Sequence, residues 1–64
     1  MTFRQDMTNR CWSTMARARL AARDLCDHGI IAPSTRDSFM READNVMRAC
    51  DAALLEMKAE ELKQ

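Results

Sequence analysis

Apolar residues in the second half of the chain recur at alternating steps of four and three. They fall at Phe39, Ala43, Val46, Cys50, Ala53 and Met57, which is the a and d spacing of one side of a packed helix. Met40, Met47 and Leu54 repeat every seven residues beside this row. The pattern predicts a long helix whose apolar stripe is wide enough to contact more than one neighbouring helix.

The first half of the chain shows a similar rhythm and predicts another helix, over residues 3–28. Thr2 and Gln5 have the three-residue spacing of a capping box at its start. Gly29 suits the left-handed position just past its end, and Ile30 supplies the apolar residue of a Schellman motif. The apolar positions of this helix lie at Cys11, Met15, Ala18, Ala22 and Leu25.

A break in the helical pattern separates the two segments and predicts a turn over residues 29–34. Pro33 disfavours helical geometry at the residue before it, and Ser34 is a favourable N-cap for a second helix over residues 35–62. One continuous helix is the alternative, but glycine and proline within five residues argue against it.

The predicted fold is therefore all-α: one domain, residues 1–64, folded as an antiparallel helical hairpin. If the turn is centred near residues 30–31, the numbers of residues that face one another across the hairpin sum to about 61. Ala18 then lies opposite Ala43, and Cys11 opposite Cys50. Two helices cannot cover both stripes, so we predict a homodimer that forms a four-helix bundle, with a monomeric hairpin as the alternative. The predicted dimer interface consists of Met15, Cys26, Met40, Met47 and Leu54.

Length and composition support self-association and exclude several other sources of stability. A chain of 64 residues is marginally stable alone, and such chains usually need disulfides, a metal or a partner. The three cysteines have no CxxC spacing and the single histidine is distant, so we predict no metal site and no cofactor. No apolar run suits a membrane span or a signal peptide, which predicts a cytoplasmic protein with reduced thiols.

Charge is balanced overall but unevenly distributed. Residues 1–27 carry five arginines against three aspartates, whereas residues 36–64 carry five basic and seven acidic side chains. A basic first helix beside an acidic second helix favours antiparallel pairing. The weak overall field disfavours nucleic acid as the partner.

An apolar ridge on the first helix is the candidate functional surface. Trp12, Ala16 and Leu20 follow one another at four-residue steps, and Arg19 and Arg23 flank them. Exposed tryptophan beside arginine is the composition of a protein-binding hot spot. The alternative is that Trp12 folds over the edge of the dimer and Leu20 is an isolated exposed leucine. We find no catalytic constellation and predict a protein that is not an enzyme.

Two resemblances concern size and architecture, without a shared motif. The length, short turn and expected dimer resemble the plasmid RNA-binding hairpin Rop, which implies an RNA-binding regulator. The chain also resembles small helical phage proteins that bind and inhibit host proteins, including quorum-sensing activators and pilus-assembly ATPases. This second resemblance implies an inhibitor of a host regulatory protein in the bacterial cytoplasm. A structural assembly subunit is a third alternative.

Overall fold

A computed structural model describes residues 2–63 as two helices, α1 (Phe3–Asp27) and α2 (Pro33–Lys63). They run antiparallel, because Arg4 Nη1 lies 4.0 Å from Glu60 Oε2 and Arg19 Nε lies 3.3 Å from Asp44 Oδ1. The predicted helical hairpin is therefore confirmed. The residue numbers in these two pairs sum to 64 and 63, close to the predicted register.

The first helix begins at the capping box that the sequence predicts. The Thr2 backbone N–H donates to Gln5 Oε1 at 2.9 Å, and the Gln5 N–H donates to Thr2 Oγ1 at 3.2 Å. These two bonds satisfy N–H groups that have no partner within the helix. Asp6 adds a negative charge to the first turn, where the helix dipole is positive.

The same helix ends in the predicted Schellman motif. Gly29 has φ of +73°, and its N–H donates to the Cys26 carbonyl at 3.0 Å. The Ile30 N–H donates to the Leu25 carbonyl at 2.8 Å, which completes the pair of bonds that defines the motif. The chain therefore reverses within residues 28–32, between the two helices.

We expect Gly29→Ala to lower the free energy of unfolding by about 1–2 kcal/mol, the cost of a left-handed backbone for a residue with a Cβ. A Cβ at this position would meet no atom within 4 Å, so the loss reports backbone strain without a steric clash. Urea denaturation at fixed protein concentration measures it. Gly29→Asn is the matched control and should lose less, because asparagine tolerates positive φ better than alanine. Equal losses for the two variants would contradict this account.

The start of the second helix differs from the prediction. The Arg36 N–H donates to the Ala32 carbonyl at 3.1 Å, so the helix begins at Pro33 and Ser34 lies inside its first turn. Proline suits the first helical position because its fixed φ is already helical and its missing N–H would have no partner there. The predicted Ser34 cap and the 29–34 turn are therefore wrong by two residues.

The interior of the hairpin is thin and lined by small side chains. Within residues 2–63 only Ala22, Ala43 and Cys50 are buried, and no large side chain is fully enclosed. The molecule measures 51 × 16 × 10 Å, which is a single layer of two helices. Most domains bury a core between at least two packed layers. This hairpin by itself has no such core.

The rotation of the second helix also differs from the prediction. The sequence pattern placed Phe39 and Val46 in the row facing the first helix, with Met40 and Met47 beside it. In the structure Met40 and Met47 are half-buried, whereas Phe39 and Val46 are each 37% exposed. Both the sequence pattern and the structure place Ala43 on the side of α2 that contacts α1, and Ala43 is 1% exposed. The helix is therefore turned so that the two methionines pack inward.

Candidate functional site

One broad side of the hairpin, here called the closed face, is covered by an ion pair that spans both helices. Arg19 Nε lies 3.3 Å from Asp44 Oδ1, and Arg19 Nη1 lies 4.0 Å from the Met47 sulfur. Because seven residues make about two helical turns, residues seven positions before or after these lie on the same face. It comprises Trp12, Arg19, Cys26, Met40, Asp44, Met47 and Leu54.

The five residues predicted to form a dimer interface lie partly within the hairpin itself. Each is half-buried between the helices, and three of them lie on α2 in the closed face. The five are Met15, Cys26, Met40, Met47 and Leu54. Their proposed contact with a second chain stays a prediction, but the hairpin already shields part of each side chain.

The opposite side, here called the open face, is an apolar groove between the helices. Its walls are formed by Met7, Thr8 and Cys11 from α1 and by Val46, Ala49 and Ala53 from α2, with the buried Cys50 between them. Seven-residue steps extend this face past the groove toward the turn. The apolar residues of the open face are Met7, Cys11, Ala18, Leu25, Phe39, Val46, Ala49, Cys50 and Ala53, and the same step from Ala49 leads to Glu42.

The open face contains two thiols in one layer, as the sequence register predicted. Cys11 is exposed, Cys50 is buried, and both are free thiols. Burial raises the pKa of the Cys50 thiol, and the neighbouring Cys11 thiol adds to the effect. A raised pKa lowers the thiolate population at neutral pH, so Cys50 is a weak nucleophile.

The predicted protein-binding ridge is partly exposed on α1. Trp12 is 38% exposed and Leu20 is 53% exposed, while Arg23 is also on the surface. Ala16 is half-buried beneath them. Arg19 belongs to the closed face through its ion pair with Asp44, which sequence spacing along one helix did not reveal.

A polar depression lies on the outer side of α1, away from α2. It is lined by Asn9, Arg10, Ser13, Thr14 and Arg17. Arg10 Nε also lies 3.1 Å from Asp6 Oδ2, one turn earlier in the same helix. The depression therefore presents two arginines, one of which already has an acidic neighbour.

Within residues 2–63, no group of three or more histidine, cysteine or acidic side chains is arranged to hold a metal ion. Neither helix in this range has an apolar stretch that could cross a bilayer. No protein-family model matches the chain, and no curated protein or solved structure is significantly similar to it.

Proposed function

We propose that this chain is a small non-enzymatic protein-binding module that works as a homodimer and recognises a partner protein through the ridge on α1. The observation that carries the proposal is the exposure of Trp12 and Leu20, at 38% and 53%, on a regular helix. Large apolar side chains beside arginine are typical of the residues that dominate binding energy in protein interfaces.

The ridge is suited to recognition because its backbone is already ordered. Trp12, Ala16, Leu20 and Arg23 all lie within the helix Phe3–Asp27, so binding orders side chains but no loop. A preorganised surface loses less conformational entropy on association than a flexible one. The ridge also leaves the open face free, so a partner protein and a second copy can bind at once.

Within this class, the proposed target is a bacterial regulatory protein, and the proposed activity is inhibition by occlusion. The resemblance to small phage proteins supports this choice, with a transcriptional activator or a pilus-assembly ATPase as concrete examples. The corresponding location is the cytoplasm of the host bacterium. No catalytic residue is required, because a bound helix pair blocks a functional surface by its volume alone.

We expect the double variant Trp12→Ala, Leu20→Ala to lose partner capture from bacterial lysate, with affinity reduced at least about 30-fold, since hot-spot truncations cost 2 kcal/mol or more. Helix content by circular dichroism should stay unchanged. Leu62→Ala is the matched control, because Leu62 is 79% exposed near the far end of α2. Equal capture by the double variant and the control would place the binding surface elsewhere.

RNA binding of the Rop type is the second candidate, favoured by the polar depression that contains Arg10 and Arg17. Arginine contacts to phosphate release counterions, so such binding should weaken steeply as salt concentration rises. Nuclease treatment of the lysate before capture separates the two candidates. Captured material that disappears after nuclease treatment would favour RNA over a protein partner.

A further inference from the structure

We propose that a second copy of this chain covers the open face, and that the two copies lie with their turns at the same end of the bundle. This inference rests on the homodimer in the proposed function and specifies its surface and orientation. The surface is different from the predicted interface, which used Met15, Cys26, Met40, Met47 and Leu54.

The area of the hairpin is the first argument for a second copy. A compact monomer of 7.4 kDa is expected to expose about 4,200 Å². The hairpin exposes 5048 Å², which is about 800 Å² more. A stable protein interface buries about 800 Å² on each partner. Covering one broad side of the hairpin would therefore remove the excess and supply the second layer that the fold lacks.

The chemistry of the two faces decides which one is covered. The groove in the open face is lined by no charged side chain. Met7 at 52%, Leu25 at 40% and Phe39 at 37% are exposed on the same face. The closed face already carries the ion pair between Arg19 and Asp44 over its methionines. Packing a second chain onto that face would remove two charges from water, which is costly.

Charges along the two edges of the open face determine the orientation. Arg10 and Arg17 lie on α1 three residues after Met7 and Thr14, so they follow its outer edge. On α2, Glu42 and Glu56 lie seven residues before and after Ala49, so they share its row along the outer side of the open face. One edge therefore presents two arginines, one of them paired with Asp6, and the other edge presents two glutamates.

A two-fold axis parallel to the helices puts α1 of one copy beside α2 of the other, with both turns at one end. In the observed register Arg10 is level with residues 53–54, so it lies within one turn of Glu56 of the second copy. Arg17 lies about one turn from the level of Glu42 of the second copy. Unlike charges therefore run alongside one another on both edges of the bundle.

The other two-fold arrangement puts the turns at opposite ends and pairs each helix with its own copy. Arg10 then lies near Arg17 of the second copy, and Glu42 near Glu56 of the second copy. Like charges opposed across an interface destabilise it and select against that arrangement. The edge charges thus favour the bundle with both turns together.

The three native cysteines test which face is covered, without any substitution. Cys11 is exposed on the open face, Cys26 is half-buried on the closed face, and Cys50 is buried. The intact protein is pulsed with N-ethylmaleimide at increasing protein concentration, while sedimentation measures the fraction of dimer. We expect alkylation of Cys11 to slow by about tenfold as dimer replaces monomer, because only the remaining monomer exposes this thiol. Alkylation of Cys26 should stay constant. Protection of Cys26 instead, protection of neither thiol, or a monomer at every concentration would overturn the proposal.

The orientation is tested by reversing edge charges and measuring the dimer dissociation constant. Arg10→Glu and Glu56→Arg should each weaken the dimer by about two- to fivefold, the range of exposed ion pairs, and the double variant should recover most of the loss. Additive losses in the double variant, or a dimer strengthened by either single variant, would overturn the same-end arrangement. These measurements involve no partner protein, so their failure is distinct from a failure of capture through Trp12 and Leu20.

Discussion

Replacing Val46 with aspartate should yield a 7.4 kDa monomer at concentrations where we expect the wild type to sediment as a dimer. Val46 lines the middle of the open face, so the proposed dimer would bury the new carboxylate without a partner. Removing an unpaired charge from water costs several kcal/mol even after relaxation. We therefore expect the dissociation constant to rise at least about 100-fold.

The control for this variant is Leu55→Asp, on the same helix. Leu55 is 69% exposed and lies outside the open face, so its carboxylate stays in water. Both variants add one negative charge and exchange an apolar residue for aspartate, so a difference between them isolates the position. A dimer that survives Val46→Asp, or dissociates equally in both variants, would show that the open face is not the interface.

The second large effect is expected at Ala43, the least exposed of the three buried residues in the described part of the chain. Ala43 is 1% exposed, and Ala43→Leu would insert a larger side chain into the line of contact. Overpacking of this kind costs about 1–3 kcal/mol. We expect urea denaturation at fixed protein concentration to show this loss in the free energy of unfolding.

Ala52→Leu provides the matched control, because Ala52 is exposed on the same helix. Alanine and leucine are both good helix formers, so the exposed substitution should change stability by less than about 0.5 kcal/mol. If Ala43→Leu were as stable as Ala52→Leu, tight packing around Ala43 would be contradicted.

The ends of the first helix were predictable because their signals are local. Thr2 and Gln5 are three residues apart and bond to each other, and Gly29 is the single residue in the chain without a Cβ. The start of the second helix was mispredicted because two local signals compete there. Ser34 is a good N-cap, but Pro33 is pre-shaped for the first helical position and places the start earlier.

The rotation of the second helix could not be predicted from its apolar pattern. The row containing Phe39 and Val46 and the row containing Met40 and Met47 are similarly apolar, so spacing alone does not say which faces inward. Methionine is flexible enough to fill the irregular space beside small residues such as Ala43. The cross-helix ion pair of Arg19 then covers Met47, and it joins residues 25 positions apart in the chain.

The ridge on α1 was predictable from the sequence, whereas the closed and open faces were not. The exposure of Trp12 and Leu20 follows from their spacing on one helix, and the structure keeps both on the surface. The pairing of Arg19 with Asp44 and the open groove depend on how two helices meet. Such features require the register and the rotation of both helices, which sequence periodicity leaves undetermined.

The reversal of the chain within residues 28–32 has a consequence for the order of events in folding. The helices can pair progressively outward from this one turn, so each new contact forms next to one already made. The hairpin therefore closes without a large loop and has low contact order. Proteins of this kind fold in microseconds to milliseconds, whereas subunit association is slower and depends on concentration. In the proposed dimer, bimolecular collision, and not closure of the hairpin, should therefore limit the rate at which newly made chains assemble.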